Sequence, residues 1–137
     1  MTAASHESIG ESLCMNLRTL RKDGTPVDTP IWVVPIDGRI CSYTDGRSFK
    51  AKRARNNPRV EVAACDVWGK NRGPWYPAVC RFVEDEAQRA RVYALIAKKY
   101  GGHYTRSTLG SRLTGRIKHR VVLEIEVRPE DPLYIPR

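Results

Sequence analysis

The 137-residue sequence lacks the features that mark several large classes of protein. No stretch approaches the roughly 20 consecutive apolar residues that a membrane-spanning helix needs. Residues 1–11 show no basic-then-apolar pattern, so we expect no signal peptide, a flexible N-terminus over these residues and a cytoplasmic location. The four cysteines form no CxxC pair, and neither His103 nor His119 completes a zinc-finger spacing, so we expect no metal site.

Acidic residues are scarce relative to basic ones, with 15 Asp and Glu against 24 Lys and Arg and a formal charge of +9. Two stretches hold no acid at all: Arg47 to Arg59 has six basic residues, and Gly101 to Arg120 has five. This surplus indicates an anionic partner, either nucleic acid, a phosphorylated small molecule or an acidic surface. We do not expect nucleic acid, because the sequence has no helix-turn-helix, no zinc knuckle and no aromatic series among its basic residues.

Alternating and β-branched segments predict a mainly β chain with six strands. Asp-Gly pairs at Asp23 and Asp37 are typical of tight hairpin turns, so the first three strands should form an antiparallel meander. Six such strands close more readily into a barrel than into an open sheet with exposed edges. We therefore predict one barrel domain over residues 12–137, with strands at 12–21, 26–35, 40–44, 59–65, 76–83 and 121–127.

Two segments have helical character. Ser48 to Asn57 begins with a capping serine and ends before Pro58, and Asp85 to Tyr100 has acids in its first turn and lysines in its last. The polar stretch from His103 to Lys118 is weakly patterned, and we predict a loop or a short broken helix there. Each cysteine lies in a predicted strand, where a free thiol behaves as a small buried hydrophobe.

Four stretches together carry a family likeness: NLRTLRKDGTPVDTPIWVV, SFKAKRARNNPRVEVAACD, WYPAVCRFVEDE and VVLEIEV. In this order, and with the pattern KxxRxRxNPRV, the chain resembles the pyridoxamine-phosphate-oxidase-like flavoproteins, specifically their deazaflavin (F420)-dependent oxidoreductases. The likeness covers about residues 12–127. It implies a six-stranded antiparallel split β-barrel with two or so helices, which forms a homodimer with cofactor sites at the interface.

The resemblance also implies a cofactor site, whose residues fall in three groups. A phosphate end would be lined by residues around the third strand and first helix, which are Thr44, Ser48, Lys50, Lys52 and Arg53. The cofactor ring would lie beside Pro30, Ile31 and Trp32, with Tyr43 as a further flat contact, and Phe49 would also belong to the site. Trp75 and Tyr76 would reach the ring of the other subunit.

Elementary chemistry agrees with this assignment, since a phosphate binds charge-assisted donors and the start of a helix. Each residue also has a plainer interpretation. A basic helix face is usually solvated, Trp32 is as often a core residue, and Trp75 with Tyr76 is more often interface packing. The basic segment ending at Arg120 is either a solvated loop or a contact for an acidic cofactor tail.

We expect hydride transfer between a reduced deazaflavin and a small organic substrate, and no residue suggests itself as a catalytic acid. F420 is preferred over FMN because its polyglutamate tail would use positive charge beyond the phosphate site. The alternatives are an FMN-binding flavoprotein of the same fold and a non-catalytic protein that carries a cofactor or a tetrapyrrole.

Overall fold

The computed structural model describes residues 8–128, which form seven strands and three α-helices with two short 3₁₀ helices. The strands are β1 (Cys14–Leu20), β2 (Pro26–Ile31), β3 (Val34–Ile36), β4 (Arg39–Asp45), β5 (Arg59–Cys65), β6 (Tyr76–Val83) and β7 (Arg120–Val127). The helices are α1 (Phe49–Asn56), α2 (Glu86–Tyr100) and α3 (Gly102–Thr114). The 3₁₀ helices span Ser8–Glu11 and Arg116–His119.

All seven strands belong to one antiparallel sheet in the order β2-β1-β5-β6-β7-β4-β3. The two edge strands, β2 and β3, are consecutive in the chain and are joined by only Trp32 and Val33. Because so short a link holds the opposite edges together, the sheet must curl round on itself. This confirms the predicted mainly β split barrel.

The second predicted strand breaks at Trp32 and Val33, so the barrel has seven strands rather than six. Side chains replace the missing strand pairing at this corner. Ser42 Oγ donates to the Trp32 carbonyl, and the Val33 amide donates to Tyr100 Oη at 2.9 Å. Lys99 Nζ donates to the Val33 carbonyl at 2.7 Å. Buried peptide groups need such partners, which explains why the break is tolerated.

Both Asp-Gly pairs form turns, as predicted. Asp37 and Gly38 both have positive φ, at 52° and 80°, which is the two-residue hairpin turn that matches the twist of its strands. Gly24 takes φ of 89° in the turn between β1 and β2.

The core has two parts, one inside the barrel and one between the barrel wall and α2. The first includes Met15, Leu17, Val60 and Ile125, and the second includes Val92 and Ile96 of α2. The thiols of all the cysteines are free and buried within strands, as expected: Cys14, Cys41, Cys65 and Cys80. Burial raises the pKa of the Cys80 thiol to about 12, so this thiol stays protonated and inert.

The two predicted helices are confirmed at nearly the predicted bounds. Ser48 Oγ accepts a hydrogen bond from the Ala51 amide at 3.3 Å, and Asp85 accepts one from the Gln88 amide at 2.9 Å. Each of these two residues is therefore an N-cap rather than a helical residue.

The segment predicted as a loop or short broken helix contains α3, a 13-residue helix followed by a 3₁₀ turn. The prediction missed most of it because α3 buries none of its residues, and so it has no apolar stripe to detect. Gly101 and Gly115, with φ of 55° and 78°, bound the helix at either end.

The expected flexible N-terminus lies partly outside the described residues, which begin at Ser8. Residues 8–11 form a 3₁₀ helix whose Ile9 is only 2% exposed and packs into the barrel core. Lys99 Nζ ties this turn to the barrel by donating to the Gly10 carbonyl at 3.1 Å and the Ser12 carbonyl at 2.6 Å. Within residues 8–128, no helix combines the length and apolar character needed to cross a membrane.

The corner should be sensitive to loss of the Tyr100 hydroxyl. Tyr100→Phe leaves the buried Val33 amide without its acceptor, which should lower the free energy of unfolding by about 1–3 kcal/mol. Tyr93→Phe is the matched control, since no group within residues 8–128 bonds the buried Tyr93 hydroxyl, and its stability should be unchanged or higher. Urea unfolding followed by circular dichroism measures both. Equal destabilisation of the two variants would contradict the role of the Tyr100 hydroxyl.

Candidate functional site

A cavity of about 480 Å³ opens beside the corner. It lies between the ends of β2 and β4, the first turn of α1, helix α3 and the start of β7. Its lining residues are Cys14, Pro30, Ile31, Trp32, Tyr43, Thr44, Asp45, Lys50, Val67, Ser107, Gly110, Ser111 and Arg120.

The structure brings half of the predicted site residues together in this cavity. Those that line it are Pro30, Ile31, Trp32, Tyr43, Thr44 and Lys50. Those outside the lining are Ser48, Phe49, Lys52, Arg53, Trp75 and Tyr76. The two groups differ in position: the first lies at or beside the ends of β2 and β4 and, for Lys50, in the first turn of α1. The second lies at the N-cap of α1, along α1, or at and just before the start of β6.

Trp32 forms a flat aromatic wall because its ring is held from two sides. It stacks on Tyr100 with ring centroids 4.5 Å apart and planes 9° apart. It also meets Tyr43 edge to face, at 6.5 Å and 71°. Such pairs stabilise each other beyond their buried area, so the Trp32 ring is fixed before any ligand arrives.

Tyr43 is the centre of a second aromatic group that includes Tyr93 and Tyr104, with centroids 5.5 Å and 5.9 Å from its own. The guanidinium carbon of Arg120 lies over the Tyr43 ring, 4.5 Å from its centroid. Burial raises the pKa of the Tyr43 hydroxyl despite the opposing charge of Arg120, so this group is protonated at neutral pH.

Arg120 is the most deeply buried charged side chain in the cavity lining, at 7% exposure. Its Nη1 lies 3.3 Å from Thr108 Oγ1 and its Nη2 lies 3.4 Å from Ser111 Oγ, both on α3. No carboxylate within residues 8–128 forms an ion pair with it. Among the described residues, hydroxyls and aromatic faces therefore support the Arg120 charge.

Lys50 contributes the second positive charge, from the first turn of α1. Its side chain is half-buried, and no carboxylate of the described chain lies within ion-pair distance of Nζ. Burial, followed by the nearby charge of Arg53, lowers the pKa of Lys50. An anion beside Nζ would favour the charged form and so oppose both effects, which suits Lys50 to an anionic ligand.

Asp45 is the acid in the cavity lining, and Arg47 already neutralises it. The Arg47 amide and Nη2 donate to the Asp45 carboxylate at 2.8 Å and 3.1 Å. These side-chain and backbone hydrogen bonds lower the pKa of Asp45 to about 2, so the carboxyl is ionised at neutral pH and has no proton to donate.

The predicted residues outside the lining have other contacts within the described chain. Arg53 Nε donates to the buried Thr19 hydroxyl at 2.7 Å. Phe49 is 75% exposed, with Lys52 Nζ 5.6 Å from its ring centroid. Trp75 stacks under the guanidinium of Arg18, 3.9 Å from its ring centroid. Tyr76 packs against the barrel core, and Ser48 caps α1.

Sequence reasoning missed seven lining residues: Cys14, Asp45, Val67, Ser107, Gly110, Ser111 and Arg120. A signal existed for the α3 members, because Ser107, Gly110 and Ser111 are spaced three and four residues apart and so share one helical face. The acid-free stretch that ends at Arg120 was a second signal. Neither was decisive without knowing that α3 is a helix.

A split β-barrel whose cavity combines a flat aromatic wall with two cations is suited to a planar, anionic cofactor. The sequence matches the family model described as pyridoxamine 5'-phosphate oxidase over residues 1–130. This chain therefore belongs to the pyridoxamine 5'-phosphate oxidase family. No curated protein sequence matches it.

Several solved structures share the fold at low sequence identity. A conserved hypothetical protein from Mycobacterium tuberculosis is 24% identical with a TM-score of 0.64, over 100% of this chain and 90% of that one. A FAD-binding protein from Mesorhizobium loti is 18% identical with a TM-score of 0.64, over 93% and 91%. An F420 reductase is 20% identical with a TM-score of 0.54, over 89% and 92%.

Two substitutions on α1 should separate structural from binding residues. Arg53→Met removes the hydrogen bond to Thr19 and should lower the free energy of unfolding by about 0.5–1.5 kcal/mol. Lys50→Met removes a half-buried, unpaired charge and should leave stability unchanged or raise it. Urea denaturation of both variants and of the native protein measures the two effects. Greater destabilisation by Lys50→Met than by Arg53→Met would contradict a structural role for Arg53 and a binding role for Lys50.

Proposed function

We propose that the protein is an F420-dependent oxidoreductase that transfers a hydride between a reduced deazaflavin and a small organic substrate. One observation supports this most strongly: the fixed Trp32 ring lines the same cavity as Lys50 and Arg120, two cations without a carboxylate partner in residues 8–128. A planar ring system with an anionic side chain complements that combination. A purely apolar or cationic ligand does not.

Different residues of the cavity would contact different parts of the cofactor. Pro30, Ile31 and Trp32, at the end of β2, offer apolar contact to a ring, with Tyr43 at its side. Lys50 would hold a phosphate by a charge-assisted hydrogen bond. In this proposal Lys52 and Arg53 add positive potential around the phosphate rather than direct contacts, because Lys52 is exposed and Arg53 is bonded to Thr19.

The bound deazaflavin would supply the hydride chemistry, and the protein would supply orientation and electrostatics. Asp45 is ionised and burial raises the pKa of both Tyr43 and Cys14, so none of these three is a ready proton donor. A proton that the substrate needs would come from water or from the Lys50 ammonium, whose pKa is lowered.

FMN is the alternative cofactor, and the distribution of charge favours F420. Arg106 and Arg112 are exposed on α3, beside the cavity that Ser107 and Ser111 line. A polyglutamate tail leaving the cavity past α3 would meet these arginines, whereas FMN ends at its phosphate and would not use them.

We also propose that the protein is a homodimer whose interface covers the mouth of the cavity. Large apolar side chains are exposed around it: Trp68 at 77% follows the lining residue Val67, and Leu109 at 58% and Leu113 at 80% flank Gly110 on α3. Large exposed apolar patches on a protein surface mark association sites. In that dimer Trp75 and Tyr76 are proposed to contact the partner's cofactor.

Cofactor titration tests the proposal directly. The fluorescence of F420 should be quenched when the protein binds it, with micromolar or tighter affinity. FMN should bind more weakly. Lys50→Met should weaken F420 binding about 10- to 100-fold, because a hydrogen bond to a charged group is lost. Lys52→Met, which removes the same charge from outside the cavity, should weaken it less than about threefold, as expected for screened surface charge.

Tight FMN binding without F420 binding would contradict the choice of cofactor. Equal effects of the two lysine substitutions would contradict the assignment of the phosphate to Lys50. Oxidation of reduced F420 by a panel of enones and quinones then separates an enzyme from a carrier protein.

The proposed dimer can be tested independently of the cofactor. Leu113→Glu should shift the protein from dimer to monomer, weakening association about 10-fold or more, because burial of such a side chain is worth about 1.5–3 kcal/mol. Lys22→Glu, in the exposed turn between β1 and β2, is the charge-changing control and should leave association unchanged. Light scattering after size-exclusion chromatography measures both, and a monomeric native protein would contradict the proposal.

A further inference from the structure

The proposed function uses only the charge of Arg120, but the buried guanidinium also has defined contacts with its neighbours. It is at the start of β7, directly opposite Asp45 of β4 in the sheet register. It lines the cavity at 7% exposure and contacts the faces of Tyr43 and Tyr104 at 4.5 Å and 5.7 Å. Arginine cannot escape burial by losing its proton, so the charge persists there.

The surroundings compensate this charge only in part. Burying a cation without a partner is unfavourable, because the charge loses its hydration and gains no compensating attraction. The two hydroxyl contacts on α3 are long, at 3.3 Å and 3.4 Å, and neither carries charge. Asp45 does not serve as a counter-ion, because Arg47 occupies its carboxylate. A guanidinium has five N–H donors, and these contacts use few of them.

Helix α3 holds Arg120 in position and at the same time opens the cavity beside it. Thr108 and Ser111 contact the guanidinium, while Gly110, which has no side chain, and Ser107 line the same cavity. Since α3 buries none of its residues, packing alone does not explain this polar wall of small residues.

We propose that Arg120, supported by Thr108 and Ser111, binds an oxyanion of the cavity's ligand, a phosphate or a carboxylate. The guanidinium fork matches either group in a two-point contact. The assignment rests on the cavity being a ligand site, as proposed above, but it does not require that the ligand be F420. The oxyanion belongs either to the cofactor or to an anionic substrate bound beside it.

Inorganic phosphate and sulfate are the first probes, used on the full chain without cofactor. Both should raise the melting temperature of the native protein in a concentration-dependent way. Arg120→Gln should reduce that rise sharply, leaving only what Lys50 contributes, and Arg120→Lys should retain more of it. Arg112→Gln, which removes an exposed arginine from the same helix, should preserve it.

A variant with altered stability does not obscure the result, because each melting temperature is compared with and without anion. Ser111→Ala keeps the charge and the fold, and should weaken phosphate binding about two- to tenfold through loss of one supporting hydrogen bond. An unchanged response to phosphate in Arg120→Gln would overturn the proposal, as would an equal loss in Arg112→Gln.

Paired ligands identify the source of the oxyanion. If Arg120→Gln weakens FMN and F420 but not riboflavin or the unphosphorylated deazaflavin chromophore, Arg120 binds the cofactor's phosphate. If it spares all of these and raises KM for carboxylated enones but not for uncharged ones, Arg120 binds the substrate. If no ligand pair responds to the substitution, the proposal fails. Failure of the native protein to bind F420, with its phosphate response intact, would overturn only the cofactor assignment.

Discussion

The fold depends on the corner at Trp32 and Val33, where the chain leaves one edge of the sheet and joins the other. The corner gives up strand pairing for its peptide groups, and Ser42, Lys99 and Tyr100 replace it with side-chain hydrogen bonds. The same Tyr100 ring supports the face of Trp32. The contact that closes the barrel therefore also fixes the aromatic wall of the cavity.

Electrostatics at the cavity oppose folding and favour binding. Lys50 and Arg120 are withdrawn from water without carboxylate partners in the described part of the chain, and Asp45 is held by Arg47. An anion that binds between them would compensate for the hydration that these cations lost. A protein built this way should be more stable with its ligand bound than without it, because ligand binding and folding are linked.

The sequence was informative where structure follows from local pattern. Alternation predicted most strands, the Asp-Gly pairs predicted their turns, and Ser48 and Asp85 marked the starts of two helices. The corner was not predictable, because Trp32 and Val33 continue a β-branched run and their substitute partners lie as far as 67 residues away. Helix α3 was missed for the opposite reason, since it has neither an apolar stripe nor buried residues.

The residues that line the cavity were also predictable only in part. Residues near the corner and on α1 were identified through the family likeness, which compares stretches of sequence. Arg120 was visible only as the last member of a basic stretch, and charge does not distinguish a solvated arginine from a buried one. What separates them is the register of β7 against β4 together with a helix packed over the side chain. Both are tertiary features, so composition alone cannot identify Arg120 as a buried cation in the cavity.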